Sequence, residues 1–157
     1  MGVSLSYHTT EPVPAEARKA IEADARRLNT DRPWWCENLI FYKDKKRAKH
    51  LTGDTKLFIV GMGDDIDDEE EGADGEAAFD DDLFMGFHDA RFILLTLAEW
   101  SRAHGVSWVV EMAGEEAARV AGGRIDPPGL FEADATAELL RADDERARAT
   151  VAKYPQR

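Results

Sequence analysis

Outside its charge-dense middle, the chain holds its acid–base and metal-binding potential in four side chains, His8, Glu37, His88 and Glu111. Glu37 and Glu111 interrupt two runs that read as central strands, Cys36–Tyr42 and Trp108–Met112. Two carboxylates on adjacent strands, facing one cleft, would do general acid–base work or hold a metal ion. In a sheet with one open face, an outward Glu is equally ordinary. His88 stands beside Asp89 at the head of an apolar helix. A helix N-terminus disfavours an imidazolium, which makes His88 either a neutral base or ligand, or simply a polar residue of the first turn. The histidines His8, His50, His88 and His104 form no His-x-His or His-x-x-x-His pair, and His-Glu-x-x-His is absent. A zinc site would therefore have to be assembled from distant segments. The single cysteine, Cys36, excludes an internal disulfide; lying between Trp35 and an apolar run, it reads as a core thiol.

Charge is segregated along the chain. Between Gly63 and Asp82 stand twelve acids and no Lys or Arg: Asp64, Asp65, Asp67, Asp68, Glu69, Glu70, Glu71, Asp74, Glu76, Asp80, Asp81 and Asp82. The remainder carries 20 acids against 20 bases, so this one insert accounts for the formal charge of −12. Such a block repels itself and is expected to be an extended, solvated loop that recognises a basic partner. Asp64, Asp65, Asp67, Asp68, Glu69, Glu70, Glu71, Asp80, Asp81 and Asp82 are its expected partner-binding residues. The insert fails the EF-hand test, because with Gly72 at the turn the twelfth position is Ala78, not Glu. Gly61-Met62-Gly63 lacks the later glycine of a dinucleotide loop and the Gly-Lys-Ser/Thr of a phosphate loop. No cofactor is therefore expected. The basic run Lys43, Lys45, Lys46, Arg47 and Lys49 reads as a solvated turn, since a nucleic acid would meet the acidic insert as well.

The elements that must position these residues follow from periodicity. Val3–His8 alternates apolar and polar and predicts a strand. After Pro12 and Pro14, Val13, Ala17, Ile21, Ala25 and Leu28 form one helical stripe ending near Asn29. Cys36–Tyr42 and Lys56–Val60 read as strands. His88–His104 is a helix with a wide apolar stripe, to be covered by the sheet and by the last helix or a second subunit, so a homo-oligomer through this helix is one expectation. Val106–Met112 reads as a buried strand, and Gly114–Gly123 as either a helical turn or a hairpin. Glu132–Tyr154 reads as a weakly apolar helix. Leu5, Ile21, Leu39, Phe41, Phe92, Leu94, Leu97, Trp108 and Val110 are the expected core. The order is βαββαβ with a C-terminal helix, hence a single α+β domain over residues 1–157, mainly antiparallel and ferredoxin-like, with helices on one face.

At 157 residues the chain can bury one sizeable core. Its hydrophobic share of 43 % excludes wholesale disorder, and its longest apolar run, Phe92–Ala98, is too short to span a bilayer. The start has no secretory pattern, so a cytoplasmic protein without a membrane partner is expected. Met1-Gly2-Val3-Ser4-Leu5, the Thr52–Phe58 segment and Phe87-His88 opening an apolar helix resemble small uncharacterised bacterial proteins that begin Met-Gly-Val-Ser-Ile. That resemblance implies no particular activity. The layout is also similar to that of small acidic immunity proteins that neutralise toxins. The resulting expectation is a noncatalytic protein-binding module with an acidic surface. The alternative is a small metal-assisted hydrolase using His8, Glu37, His88 or Glu111.

Overall fold

The computed structural model describes residues 3–57 and 73–154, with backbone alone over 73–78. Six strands form one antiparallel sheet: β1 (Val3–Thr9), β2 (Ile40–Tyr42), β3 (Thr52–Leu57), β4 (Trp108–Met112), β5 (Glu115–Ala121) and β6 (Arg124–Asp126), in the order β2-β3-β1-β4-β5-β6. Helices α1 (Ala15–Asp31) and α2 (Ala73–His104) make the two crossovers, and α3 (Ala137–Lys153) follows the sheet. The first four strands and two helices are thus the expected ferredoxin-like βαββαβ arrangement. The stretch left open between a helical turn and a hairpin is the hairpin β4–β5, and β6 extends it.

Alternation along β1 decides which face is covered. Leu5 and Tyr7 are fully buried, and so are their cross-strand neighbours Thr55 and Val110. Ser4, Ser6 and His8 point to the helix-free face. From the helices, Ile21, Ala25, Ile93, Leu94 and Leu97 complete one core with the inward sheet residues. Trp100 on α2 ties α1 down as well, its indole N–H donating to Asp24 at 2.8 Å. Eight of the nine expected core residues belong to this cluster, Phe41 from its half-buried margin; the ninth, Phe92, is half-buried against the Trp34 ring.

The third strand starts at Thr52 rather than Lys56 and the last helix at Ala137 rather than Glu132, and two further differences bear on the site. The segment expected as a strand over Cys36–Tyr42 pairs only from Ile40. Pro33 has no N–H, and the backbone N–H groups of Trp35 and Cys36 are taken by the Asp89 carboxylate at 3.0 and 2.7 Å. Asn29 then brackets Leu39, its side chain bonding both the N–H and the C=O. The N–H groups of Trp35 and Cys36 and both backbone groups of Leu39 are thereby committed to side chains, while the Glu37 N–H still reaches the neighbouring strand, at the Lys56 carbonyl 3.3 Å away. The second difference is α2, which begins at Ala73 and so turns the last ten residues of the acidic insert into helix. Acids in the first turns of a helix complement the positive end of its dipole, which offsets part of their mutual repulsion. Asp64, Asp65, Asp67, Asp68, Glu69, Glu70 and Glu71 lie outside the described residues, as do Phe58–Val60 at the end of the expected third strand. The basic run is a 3₁₀ turn, Lys45–Arg47, capped by the Asp44 carboxylate, which accepts from the Lys46 N–H at 3.0 Å.

The sheet centre depends on one glycine. A Cβ at Gly53 would stand 2.6 Å from the Ile40 carbonyl oxygen and would overlap the Tyr7 ring, which packs edge-on against Phe41 and Trp108. Gly53→Ala is expected to lower the free energy of unfolding by about 1–3 kcal/mol, the usual cost of overpacking a core. Urea denaturation checks this; an unchanged midpoint would mean that β2 and β3 separate without cost.

Candidate functional site

On the side of α2 away from the sheet, a cleft of about 520 Å³ runs between α2, the Gly129–Glu132 turn and α3. Asp80, Leu83, Phe84, Phe87, His88 and Arg91 supply its α2 wall. These positions recur at three and four, so one helical stripe lies along the cleft. Phe131 faces Phe87 with ring centroids 5.3 Å apart. Its placement has a backbone cost: Phe131 and Glu132 both adopt the left-handed region, at φ 51° and 56°. Each such residue costs about 1–3 kcal/mol, a sum that burial of the Phe131 ring offsets in part. Thr136 caps α3, its hydroxyl accepting from the Leu139 N–H at 3.2 Å, and α3 brings Asp143 and Arg146 to the opposite wall.

The ionisable floor of the cleft is satisfied from within. Arg91, whose side chain is 6 % exposed, donates to Asp143 at 2.7 Å and lies 3.8 Å from Glu132. Arg32 donates to His88 Nδ1 at 2.8 Å, and a guanidinium has no acceptor, so Nδ1 carries no hydrogen. His88 Nε2–H therefore donates to Asp144 at 2.9 Å. Burial pushes the His88 pKa down, the Arg32 charge pushes the same way, and the Asp144 hydrogen bond opposes both. Arg32 also donates to Asp89 at 2.5 Å, and its guanidinium lies 4.4 and 4.3 Å from the Trp34 and Phe92 ring centroids. A chain of contacts thus runs from the Trp35–Cys36 backbone through Asp89, Arg32 and His88 to α3.

Of the four sequence candidates, His88 alone lines the cleft. His8 and Glu111 lie on the helix-free face of the sheet, diagonal to each other because His8 pairs with Val109 and Ser6 with Glu111. No hydrogen bond joins them. Burial, then the Arg47 charge, pushes the His8 pKa down. Glu37 is exposed at the sheet edge, where its carboxylate accepts from the Lys56 N–H at 3.1 Å. Cys36 is buried in the core. Among the expected partner-binding acids, Asp81 is 8 % exposed and accepts from the Tyr154 hydroxyl at 3.0 Å. Asp82 accepts from the Trp35 indole N–H at 2.9 Å. Both serve the fold, while Asp80 is exposed at the mouth of the cleft.

Sequence reading missed Arg32, Phe84, Phe131 and Arg146. Only Phe84 had a visible signal, the three-and-four spacing continuing the α2 stripe back into the acidic insert. Among the described residues, no group of three or more His, Cys, Asp or Glu could hold a metal ion. No helix of the described residues is long and apolar enough to cross a membrane. Comparison with protein-family models, curated proteins and solved structures returned no match.

Two outcomes follow from this geometry. Asp89→Asn is expected to destabilise the protein by about 3–5 kcal/mol, because it strands a buried guanidinium; urea unfolding measures it, and a loss below 1 kcal/mol would remove Asp89 from that role. For pH, the unfolded histidine titrates near 6.5, whereas folded His88 and His8 resist protonation. The unfolded state then binds more protons, so stability falls as pH drops below about 6.5 toward the folded values. Between pH 7.5 and 5.5, His88→Gln should show a shallower decline in Tm than the wild type. Equal slopes would exclude His88 from the effect.

Proposed function

We propose that the protein is a noncatalytic binding module of a reducing, cytoplasmic compartment. It takes a basic segment of a protein partner into the cleft between α2 and α3, beside the acidic first turns of α2. The observation that carries this reading is the contrast within the cleft. Its floor is internally neutralised, with both His88 nitrogens and the Arg91 guanidinium engaged. Its mouth leaves Phe87 37 % exposed, and Asp80, about two helical turns earlier on α2, lines the same cleft. A histidine whose two nitrogens are held by an arginine and a carboxylate has no position left to take a proton from a substrate. An open aromatic ring in a cleft that also presents the exposed Asp80 instead suits an apolar anchor flanked by a cation. The hydrolase reading would need His8, Glu37, His88 or Glu111 in one pocket, and only His88 lines this one. The net charge of −12 would speed encounter with a basic surface and make that speed fall with added salt.

The test is affinity capture of basic host proteins on immobilised wild type and Phe87→Ala, followed by titration of the captured protein against each. Phe87 is exposed, so its truncation should spare the fold, checked by circular dichroism. Affinity is expected to fall by about tenfold or more for a buried aromatic anchor, and association should slow as salt rises. Capture that ignores both the substitution and the salt would overturn the reading.

A further inference from the structure

We infer that the face of the Phe84 ring is the seat for a cationic side chain of the partner, and that Arg146 occupies that seat while the cleft is empty. This rests on the binding reading above and names the chemistry of its ligand. The Arg146 guanidinium lies 4.0 Å from the Phe84 ring centroid. Although Asp143 and Glu132 line the same cleft, both are turned to Arg91. Among the described residues no carboxylate pairs with Arg146. Among the described residues the guanidinium is held by a ring face alone, through the attraction of a cation for the negative face of an aromatic ring.

Arg32 provides the contrast. It too lies over aromatic rings, but it is also bonded to Asp89 and His88, and its side chain is only 11 % exposed. That guanidinium is a fixed part of the fold. Arg146 is exposed on α3 and lacks the carboxylate, which makes it the exchangeable one of the two. A partner's arginine or lysine arriving over Phe84 would make the same ring contact. It would in addition meet Asp80, which lines the same cleft, and the field of the acidic helix start. An anionic ligand, drawn to Arg146 itself, would be repelled by that same field. Displaced from the ring, Arg146 gives up one exposed cation–π contact and its side chain passes into water. Arg146 is thus an internal competitor that lowers affinity for weak cations and sets a threshold for the right partner.

The blocked octapeptide (Arg-Leu)₄ serves as the probe, titrated by calorimetry at low salt against the full chain. Arg146→Gln is expected to tighten binding by about threefold to fivefold, the range of an exposed cation–π contact. Phe84→Leu, which keeps apolar bulk and removes the ring face, should weaken it by a similar factor and abolish the gain when combined with Arg146→Gln. Arg146 is exposed, so its variant tests the inference even if Phe84→Leu fails to fold. Weaker or unchanged binding by Arg146→Gln overturns the inference. If the peptide binds in a salt-dependent way indifferent to both substitutions, the basic-segment reading stands and the Phe84 seat falls. If neither wild type nor Arg146→Gln binds the peptide, both fall. Binding of 3-phenylpropionate by wild type but not by Arg146→Gln would identify an anion site and overturn the inference.

Discussion

Asp89 is fully buried and accepts from two consecutive backbone N–H groups and a guanidinium. A carboxylate removed from water carries a desolvation cost of several kcal/mol unless its lone pairs are filled by good donors. Here they are filled by a segment that cannot form a strand, so the ion's requirement and the segment's requirement are met by the same contacts. Arg32 is thereby held between two rings with one nitrogen left to reach His88, and His88 passes the constraint to Asp144 on α3. The position of the cleft's far wall depends on an ion buried on the other side of α2.

This dependence explains why the cleft floor is quiet. His88 and Asp144 end a chain of hydrogen bonds that begins at the buried Asp89. Arg91 is bound to Asp143 for the same reason, since a guanidinium 6 % exposed requires a carboxylate at hand. A self-neutralised floor favours recognition by shape and by ring faces. It disfavours chemistry that needs a group to change its proton.

The acidic insert, a single block in composition, divides in three dimensions. From Ala73 onward it is helix, and Asp81 and Asp82 turn inward to the Tyr154 hydroxyl and the Trp35 indole. They fasten the end of α3 and the 33–39 segment to α2, where Trp35 and Tyr154 also pack edge-on at 5.5 Å. Asp80, one residue earlier, faces the cleft. Three successive aspartates thus have different surroundings, because successive helical positions point about 100° apart and the partners of each arrive from other parts of the chain.

Period and punctuation determined the larger part of the fold. Alternation in Val3–His8, the three-and-four spacing of Ile21 and Ala25, and the wide stripe through Leu94 and Leu97 are local consequences of strand and helix geometry, legible without any partner. The βαββαβ order and the core followed from them. Tertiary structure alone decided the rest. That Pro33–Leu39 is not a strand depends on Asp89 and Asn29, the former more than fifty residues away, and no local pattern carries that information. His88 was visible as a candidate, yet its role depends on Arg32 and Asp144, both 56 residues distant. Phe131 and Arg146 reach the cleft only because two left-handed residues and the α3 docking bring them there. A side chain's type and its place on an element are written in the sequence. What satisfies its hydrogen bonds and charge is fixed by contacts that form only when distant segments meet.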